Sequence, residues 1–193
     1  MDIPGELIVL TLPSLAYVGV GRWRKATWGD ILNRIGWRGC PPIYFAWALA
    51  AAAVLGGLAL VATRSVPSVA VHNPHVTVSA YAGWTRSSAS FLLAWRQEAI
   101  YTTLGEEVFF RGLLGGWLLR RFGFMRGNAA QAALFLLPHL ILLVVSLRFW
   151  PLVLVQGVAG WVLGWLRYRS DSILPGWVAH SLVNAIGAFV TMR

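Results

Sequence analysis

Long runs of apolar residues, separated by short basic segments, organise this chain. The clearest run is Ile43–Thr63, and further runs cover 129–147, 149–166 and 173–192. A helix needs about 20 predominantly apolar residues to cross the hydrocarbon core of a bilayer. Each of these runs is therefore predicted to be a membrane helix. The shorter run 7–20 is predicted either to span the membrane or to be re-entrant.

The segment 89–119 is long enough to cross a membrane, but it contains several charged side chains. These are Arg96, Glu98, Glu106, Glu107 and Arg111, and glycines lie at positions 105, 112, 115 and 116. An ionisable side chain at the centre of a membrane helix costs about 2.5–3.5 kcal/mol on insertion scales. We therefore predict one or two helices here that line the protein interior and do not face lipid.

A short amphipathic segment lies between the first two apolar runs. Thr27 and Asp30 have the spacing of a capping box, with Asp in place of Glu. The apolar residues that follow recur at helical spacing, at Trp28, Ile31, Leu32 and Ile35. Because basic residues surround them, we predict a short interfacial helix. The polar, proline-containing segment 65–88 is predicted to be a loop outside the membrane core.

The composition supports a membrane protein. Of 193 residues, 58% are hydrophobic and 12% are charged, and the mean hydropathy is +0.65. Soluble domains are roughly 45–50% apolar and about 25% charged, which argues against a soluble enzyme or a disordered chain. The predicted fold is an all-α, multi-pass transmembrane helical bundle with about six membrane helices and the interfacial helix. We expect one integral-membrane domain over 1–193.

The formal net charge of +9 reflects basic residues at the ends of the apolar runs. The loops 21–42, 120–127 and 167–172 together carry ten Lys or Arg, whereas the opposite loops and the C-terminus carry four. Cytoplasmic loops are enriched in Lys and Arg, so we predict that those three loops are cytoplasmic. We expect membrane lipid, and no nucleic acid, as a partner, because the basic residues form no single face.

Three groups of polar residues in the apolar segments are candidates for chemistry. Glu107 and Arg111 are spaced i, i+4 and can pair on one helix face. Glu106 lies about 100° away around the helix, without that partner, so it suits a general base or acid. The alternative is a structural ion pair next to one interfacial Glu.

The other two groups contain histidines. His139 follows Pro138 in the apolar run 129–147, and His180 and Asn184 are spaced i, i+4 on the last predicted helix. Such side chains can also act only in packing, His139 as a buried histidine and the His180–Asn184 pair as hydrogen-bonding groups between helices. The pattern of these residues leaves both interpretations open.

Several other protease chemistries lack their residues in this sequence. No His-Glu-x-x-His motif is present, and the Asp residues lie only at segment ends, at Asp2, Asp30 and Asp171. A cysteine nucleophile would have to be Cys40, which lies in a juxtamembrane Gly-Cys-Pro-Pro segment. The remaining set of one Glu, two His and one Asn is sufficient to activate water and to stabilise an oxyanion.

Together the motifs resemble those of a known family. Glu-Glu-x-x-x-Arg at 106–111, Phe-x-x-x-His at 135–139 and His-x-x-x-Asn at 180–184 occur in this order. They are similar to the motifs of the CPBP family of intramembrane glutamic endopeptidases, which includes type II CAAX prenyl proteases and bacteriocin-processing proteins. The resemblance covers about residues 85–193, the expected catalytic core, whereas 1–84 contributes membrane segments and a loop.

The resemblance implies a role for each motif residue. Glu106 would activate the attacking water with His139, and His180 and Asn184 would stabilise the oxyanion. Glu107 and Arg111 would hold the helix and help to position the substrate. No metal ligand and no cofactor are expected.

We expect an integral protein of a prokaryotic inner membrane. Its substrate would be a membrane-associated protein or peptide that is prenylated, leader-bearing or C-terminally anchored. Two other functions remain open, namely a non-catalytic immunity or binding protein on the same scaffold, and a transporter or channel whose pathway is lined by the polar residues.

Overall fold

Helices make up nearly all of the chain that the structure, a computed structural model, describes, namely residues 5–66 and 76–193. The first range contains α1 (Gly5–Trp23), α2 (Trp28–Ile35) and α3 (Ile43–Thr63). The second range begins with a 3₁₀ turn, Thr77–Tyr81. Neither range contains a strand. The prediction of an all-α fold is therefore confirmed, while residues 67–75 of the predicted polar loop lie outside the described residues.

The second range continues as a nearly unbroken helical chain. Helix α4 (Ser88–Gln97) passes directly into a π-helical stretch, Glu98–Thr103, then a single α-helical turn, Leu104–Glu106, and a second π-helical stretch, Glu107–Leu114. The remaining elements are α5 (Gly115–His139), α6 (Ile141–Val145), a 3₁₀ turn at Leu147–Phe149, α7 (Trp150–Ser170) and α8 (Leu174–Thr191).

Among the described residues, three helical segments are long and apolar enough to cross a membrane, namely Ile43–Thr63, Ser88–Val145 and Leu147–Ser170. The second of these has 58 residues, which at 1.5 Å per residue would extend about 87 Å as a straight helix. The hydrocarbon core is only about 30 Å thick. The segment must therefore fold back on itself within the membrane protein.

The reversal occurs at Gly123. Its φ of 72° and ψ of −178° are non-helical, and glycine adopts such a conformation without the steric cost that a Cβ brings. On either side of it the chain forms two antiparallel arms, since the Phe110 and Phe135 rings meet with centroids 5.3 Å apart. The sequence predicted a loop at 120–127, and the structure replaces it with a turn at this glycine inside α5.

The predicted span 129–147 is also wrong as a single helix. Helix α5 ends at His139, immediately after Pro138, and the short α6 and a 3₁₀ turn follow. Proline removes one backbone donor from a helix and clashes with the preceding turn, and α5 ends one residue later. His139 therefore lies at the end of a helix.

Small residues allow the second arm of α5 to pack closely on α7. The side chains of Asn128 and Gln131 donate hydrogen bonds to the carbonyl oxygens of Trp161 and Gly160, at 3.1 and 2.7 Å. A Cβ at Gly164 would overlap both of these side chains. The glycines of α7 thus permit the close packing of the two helices.

Helix α2 has the predicted amphipathic character. Thr27 caps its first turn by accepting a hydrogen bond from the Asp30 amide, and Gly36 ends it in the left-handed conformation. Ile31 and Ile35 are buried, whereas Trp28 is exposed. This polarity suits a helix at a membrane surface.

Helix α8 packs between α3 and the helical chain that contains the two π-helical stretches. The indole of Trp177 donates to the Ala99 carbonyl at 2.8 Å, and the indole of Trp95 donates to Ser181 Oγ at 3.0 Å. These bonds fix α8 against α4 and the first π-helical stretch, and thereby set which residues of α8 face Glu98.

The arrangement of charges leads to a topology prediction. In a Cys40→Ser background, a cysteine at the exposed Arg121 should react with a membrane-impermeant maleimide only after the membrane is opened. A cysteine at Arg148, at the opposite end, should react in intact cells. The physical reason is the excess of Lys and Arg in the loops on the Arg121 side. Labelling of position 121 from outside would contradict this orientation.

Candidate active site

Two adjacent carboxylates lie where the backbone changes from an α-helical to a π-helical geometry. Glu106 ends the single α-helical turn and Glu107 begins the second π-helical stretch. Both are buried, with Glu106 9% exposed and Glu107 fully enclosed. Short π-helical segments occur frequently at functional sites because they alter which side chains face the interior. Here the change of geometry coincides with the predicted acidic motif.

The predicted pair between Glu107 and Arg111 is confirmed. Arg111 Nη1 lies 3.0 Å from Glu107 Oε1, and both side chains are completely buried. The guanidinium also lies over the Phe135 ring, 3.9 Å from its centroid. A cation above an aromatic face is stabilised by the ring quadrupole, so Phe135 and Glu107 together hold the charge of Arg111.

His180 connects the two carboxylates. Its Nδ1 lies 2.9 Å from Glu107 Oε1, and its Nε2 lies 3.6 Å from Glu106 Oε2. The sequence placed Glu106 on a different helix face from the Glu107–Arg111 pair, and the structure adds the His180 imidazole beside it. The pairing joins residues more than 70 positions apart, so helix periodicity alone gave no sign of it.

The cluster formed by Glu106, Glu107, Arg111 and His180 can be electrically neutral. Two ionised carboxylates are balanced when the guanidinium and an imidazolium accompany them, and only an imidazolium can donate from both ring nitrogens. A buried charge is tolerated when it is paired. The cluster can therefore keep ionised groups inside the protein, with His180 at hydrogen-bond distance from Glu107 and beside Glu106.

His139 approaches the same cluster from the end of α5. Its Nδ1 lies 2.8 Å from the Phe135 carbonyl oxygen. Because a carbonyl only accepts, Nδ1 carries the proton and, in the neutral ring, Nε2 keeps its lone pair. The Phe135 ring lies 4.6 Å from the His139 ring and 5.7 Å from the His180 ring, between centroids. Phe135 is thus a common wall for His139, His180 and Arg111.

Asn184 belongs to a second buried group, which the sequence did not predict. Its Nδ2 donates to Glu98 Oε2 at 3.1 Å, and the Tyr81 hydroxyl donates to Glu98 Oε1 at 2.8 Å. Glu98 is 2% exposed. In the sequence analysis, Glu98 was named only as a charged residue in an apolar segment. A carboxylate in such a segment, eight residues before Glu106, was a signal of a further polar contact. Tyr81 lies in the polar segment and gave no signal.

The cysteine alternative has little support from the structure. Cys40 lies in the segment between α2 and α3, and partial burial raises the pKa of its thiol above the ordinary value, with a hydrogen bond to Ser172 acting in the opposite direction. A cysteine nucleophile requires a lowered pKa. The environment of Cys40 therefore disfavours the thiolate.

In a comparison with models of known protein families, residues 88–186 match the type II CAAX prenyl endopeptidase Rce1-like family. The matched segment covers just over half of the chain and contains the six candidate residues. No curated protein and no solved structure matches the chain.

Proposed function

Because the chain belongs to the type II CAAX prenyl endopeptidase Rce1-like family, we propose that it is an intramembrane endopeptidase of the glutamic type. One observation carries the proposal, namely that His180 joins the buried carboxylates of Glu106 and Glu107 in the interior of the bundle. A carboxylate next to an imidazole supplies the proton transfers that peptide hydrolysis requires.

In this mechanism Glu106 is the general base. Its carboxylate takes a proton from a water molecule while the water oxygen attacks the carbonyl carbon of the scissile peptide bond. The tetrahedral intermediate then collapses, the C–N bond breaks, and Glu106 returns the proton to the leaving nitrogen. The products are one carboxylic acid and one amine, so no further reactant is needed.

The histidines and Asn184 would interact with the two reacting oxygens, namely the oxygen of the attacking water and the carbonyl oxygen of the scissile bond. His139 has its Nδ1–H bonded to a carbonyl, so its Nε2 is available to orient the water with Glu106. His180 and the amide of Asn184 would donate to the developing oxyanion, an interaction that lowers the barrier when the donors are fixed in advance. His180 also contacts Glu106, which links the base to the oxyanion site.

Glu107 and Arg111 act as positioning residues in this proposal. Glu107 accepts from His180 Nδ1 at 2.9 Å and so directs the opposite ring nitrogen toward Glu106. Arg111 compensates the charge of Glu107. Gly176 leaves room for this pair, since a Cβ there would lie 3.1 Å from Glu107 Oε2.

The substrate of the proposed enzyme is a membrane-associated protein or peptide. Three classes should be compared as co-expressed reporters, one with a C-terminal prenylated cysteine motif, one with an N-terminal leader and one with a C-terminal membrane anchor. Wild-type chain is expected to cleave one class, and mass spectrometry of the fragments would locate the bond. Absence of cleavage of all three, with binding or transport retained, would favour the immunity or transporter alternatives.

Substitution of Asn184 should slow cleavage without changing substrate binding. Asn184→Ala removes one oxyanion donor, and we expect kcat to fall about 10²–10³-fold with little change in KM. Glu98→Gln should lower kcat by a smaller factor, because it perturbs the hydrogen bond that orients the Asn184 amide. Adding Glu98→Gln to Asn184→Ala should then have little further effect, as expected for coupled residues. Multiplicative losses would contradict this coupling.

Cleavage by the proposed enzyme should not depend on a metal. Within residues 5–66 and 76–193, no three His, Cys, Asp or Glu side chains are grouped so that they could hold a metal ion. The purified chain should keep its activity in excess chelator, and metal analysis should find no stoichiometric metal. Loss of cleavage on chelation, with recovery on adding zinc, would identify a metalloprotease.

A further inference from the structure

Two adjoining cavities form a single basic crevice at the end of the bundle where the basic loops lie. One, of about 310 Å³, is bounded by α1, α2, the second π-helical stretch and the start of α5. The other, of about 260 Å³, lies between α1 and α2. Tyr17 and Arg34 line both, so the two cavities meet at these residues and together form the crevice. None of the residues of the candidate active site lines either cavity.

The crevice has an excess of positive charge. Arg120 lines the first cavity and Arg24 the second, in addition to the shared Arg34. Among the described residues, Asp30 is the one acidic residue that lines either cavity. The Asp30 carboxylate already accepts a hydrogen bond from the Thr27 hydroxyl at 2.7 Å. Like charges at close range repel one another, and an anion between these arginines would relieve that repulsion.

The backbone of α2 fixes one of the arginines at the wall of the crevice. Arg120 Nη1 donates to the Arg34 carbonyl at 2.9 Å. A guanidinium has five N–H donors in a planar fork that matches a phosphate, and this bond uses one of them. A Cβ at Gly116 would lie 2.8 Å from the Arg34 carbonyl oxygen, so glycine there permits the close approach of α5 to α2.

The first cavity is amphipathic. Leu113, Leu114 and Trp117 line it together with the arginines, and Trp117 is 55% exposed. Tryptophan is enriched at the level of the lipid headgroups. A free phosphate would use only the basic side of such a cavity, whereas a phospholipid would use both, its headgroup against the arginines and its acyl chain against the leucines and the indole.

We propose that this crevice binds the headgroup of an anionic phospholipid. Arg34 and Arg120 contact the phosphate, Arg24 faces the remaining negative charge, and the Tyr17 hydroxyl is available as a further donor. The predicted orientation places all three arginines on the cytoplasmic side, where basic pockets between membrane helices bind such headgroups. A bound lipid would hold α1 and α2 against the helical segment that contains Glu106 and Glu107.

Titration of the purified full-length chain with phosphatidylglycerol in detergent micelles, with bound lipid counted by native mass spectrometry, tests this proposal. The wild-type chain should bind phosphatidylglycerol in preference to phosphatidylcholine. Arg34→Gln combined with Arg120→Gln should weaken that binding about 30-fold, which corresponds to about 2 kcal/mol at 1.4 kcal/mol per factor of ten. The matched pair Arg121→Gln and Arg126→Gln, at the same end but outside the crevice, should change it less than about threefold.

Each other outcome overturns the proposal. Equal losses in both double variants would mean that net charge alone attracts the lipid. Displacement by inorganic phosphate as effective as by phosphatidylglycerol would identify a site for the soluble ion. Equal binding of phosphatidylglycerol and phosphatidylcholine by the wild-type chain would also contradict the proposal. This comparison needs no variant, so it remains decisive even when the Arg34→Gln, Arg120→Gln variant does not fold.

Discussion

Replacement of Glu106 by Gln should reduce cleavage by about 10²–10⁴-fold, the contribution of a general base, while the protein remains folded. Gln has almost the same size as Glu, but its amide cannot accept the proton from water. The Glu107–Arg111 ion pair and the His180–Glu107 contact involve other atoms, so they should persist. The loss should therefore appear in kcat and not in the melting temperature.

The measurement compares single-turnover cleavage of the identified substrate by wild-type and variant chains in the same nanodiscs. Asp171→Asn is a matched control, since it also converts a carboxylate to an amide but lies at the end of α7 with its side chain 64% exposed. It should keep the wild-type rate. Wild-type cleavage by the Glu106→Gln chain would eliminate the mechanism, whereas equal losses in both variants would point to a general effect on folding.

Apolar periodicity and charge placement were sufficient to predict the helical fold and most of its elements. The run Ile43–Thr63 coincides with α3, and the amphipathic segment coincides with α2. The reversal at Gly123 lies inside the loop predicted at 120–127, but the residue that makes the turn was not predicted, because a glycine with positive φ gives no hydrophobic signal. Likewise the end of α5 at His139 interrupts a continuous apolar run, and apolarity alone cannot distinguish one helix from two.

The candidate site was predictable where its contacts are local. Glu107 and Arg111 are four residues apart, and their ion pair follows from spacing alone. The bond between His180 and Glu107 joins helices far apart in sequence, so it depends on how α8 packs against the π-helical stretch. The Tyr81–Glu98–Asn184 network depends on the same packing. Motif order identified the residue types, but only the fold showed which of them are in contact.

Loss of Arg111 should destabilise the protein strongly. Arg111→Met keeps most of the side-chain volume but removes the cation, so Glu107 would retain only His180 as a partner in the fully buried site. Removing one member of a buried ion pair costs about 3–5 kcal/mol, because the remaining charge is left uncompensated. The contact of the guanidinium with the Phe135 face would be lost as well. We expect a clearly lower unfolding temperature in detergent.

The double variant Glu107→Gln, Arg111→Met separates charge from packing. Replacing both partners of a buried ion pair by neutral groups of similar volume is often neutral or stabilising, so the double variant should recover much of the stability lost in Arg111→Met.

As a control, Arg38→Met breaks an ion pair with Asp171 whose side chains are 46% and 64% exposed, and such pairs contribute only about 0–1 kcal/mol. If Arg111→Met melted no lower than Arg38→Met, the guanidinium would not be needed to hold Glu107 in the bundle interior. Recovery in the double variant without recovery of cleavage would instead assign Glu107 to positioning His180 as well as to stability.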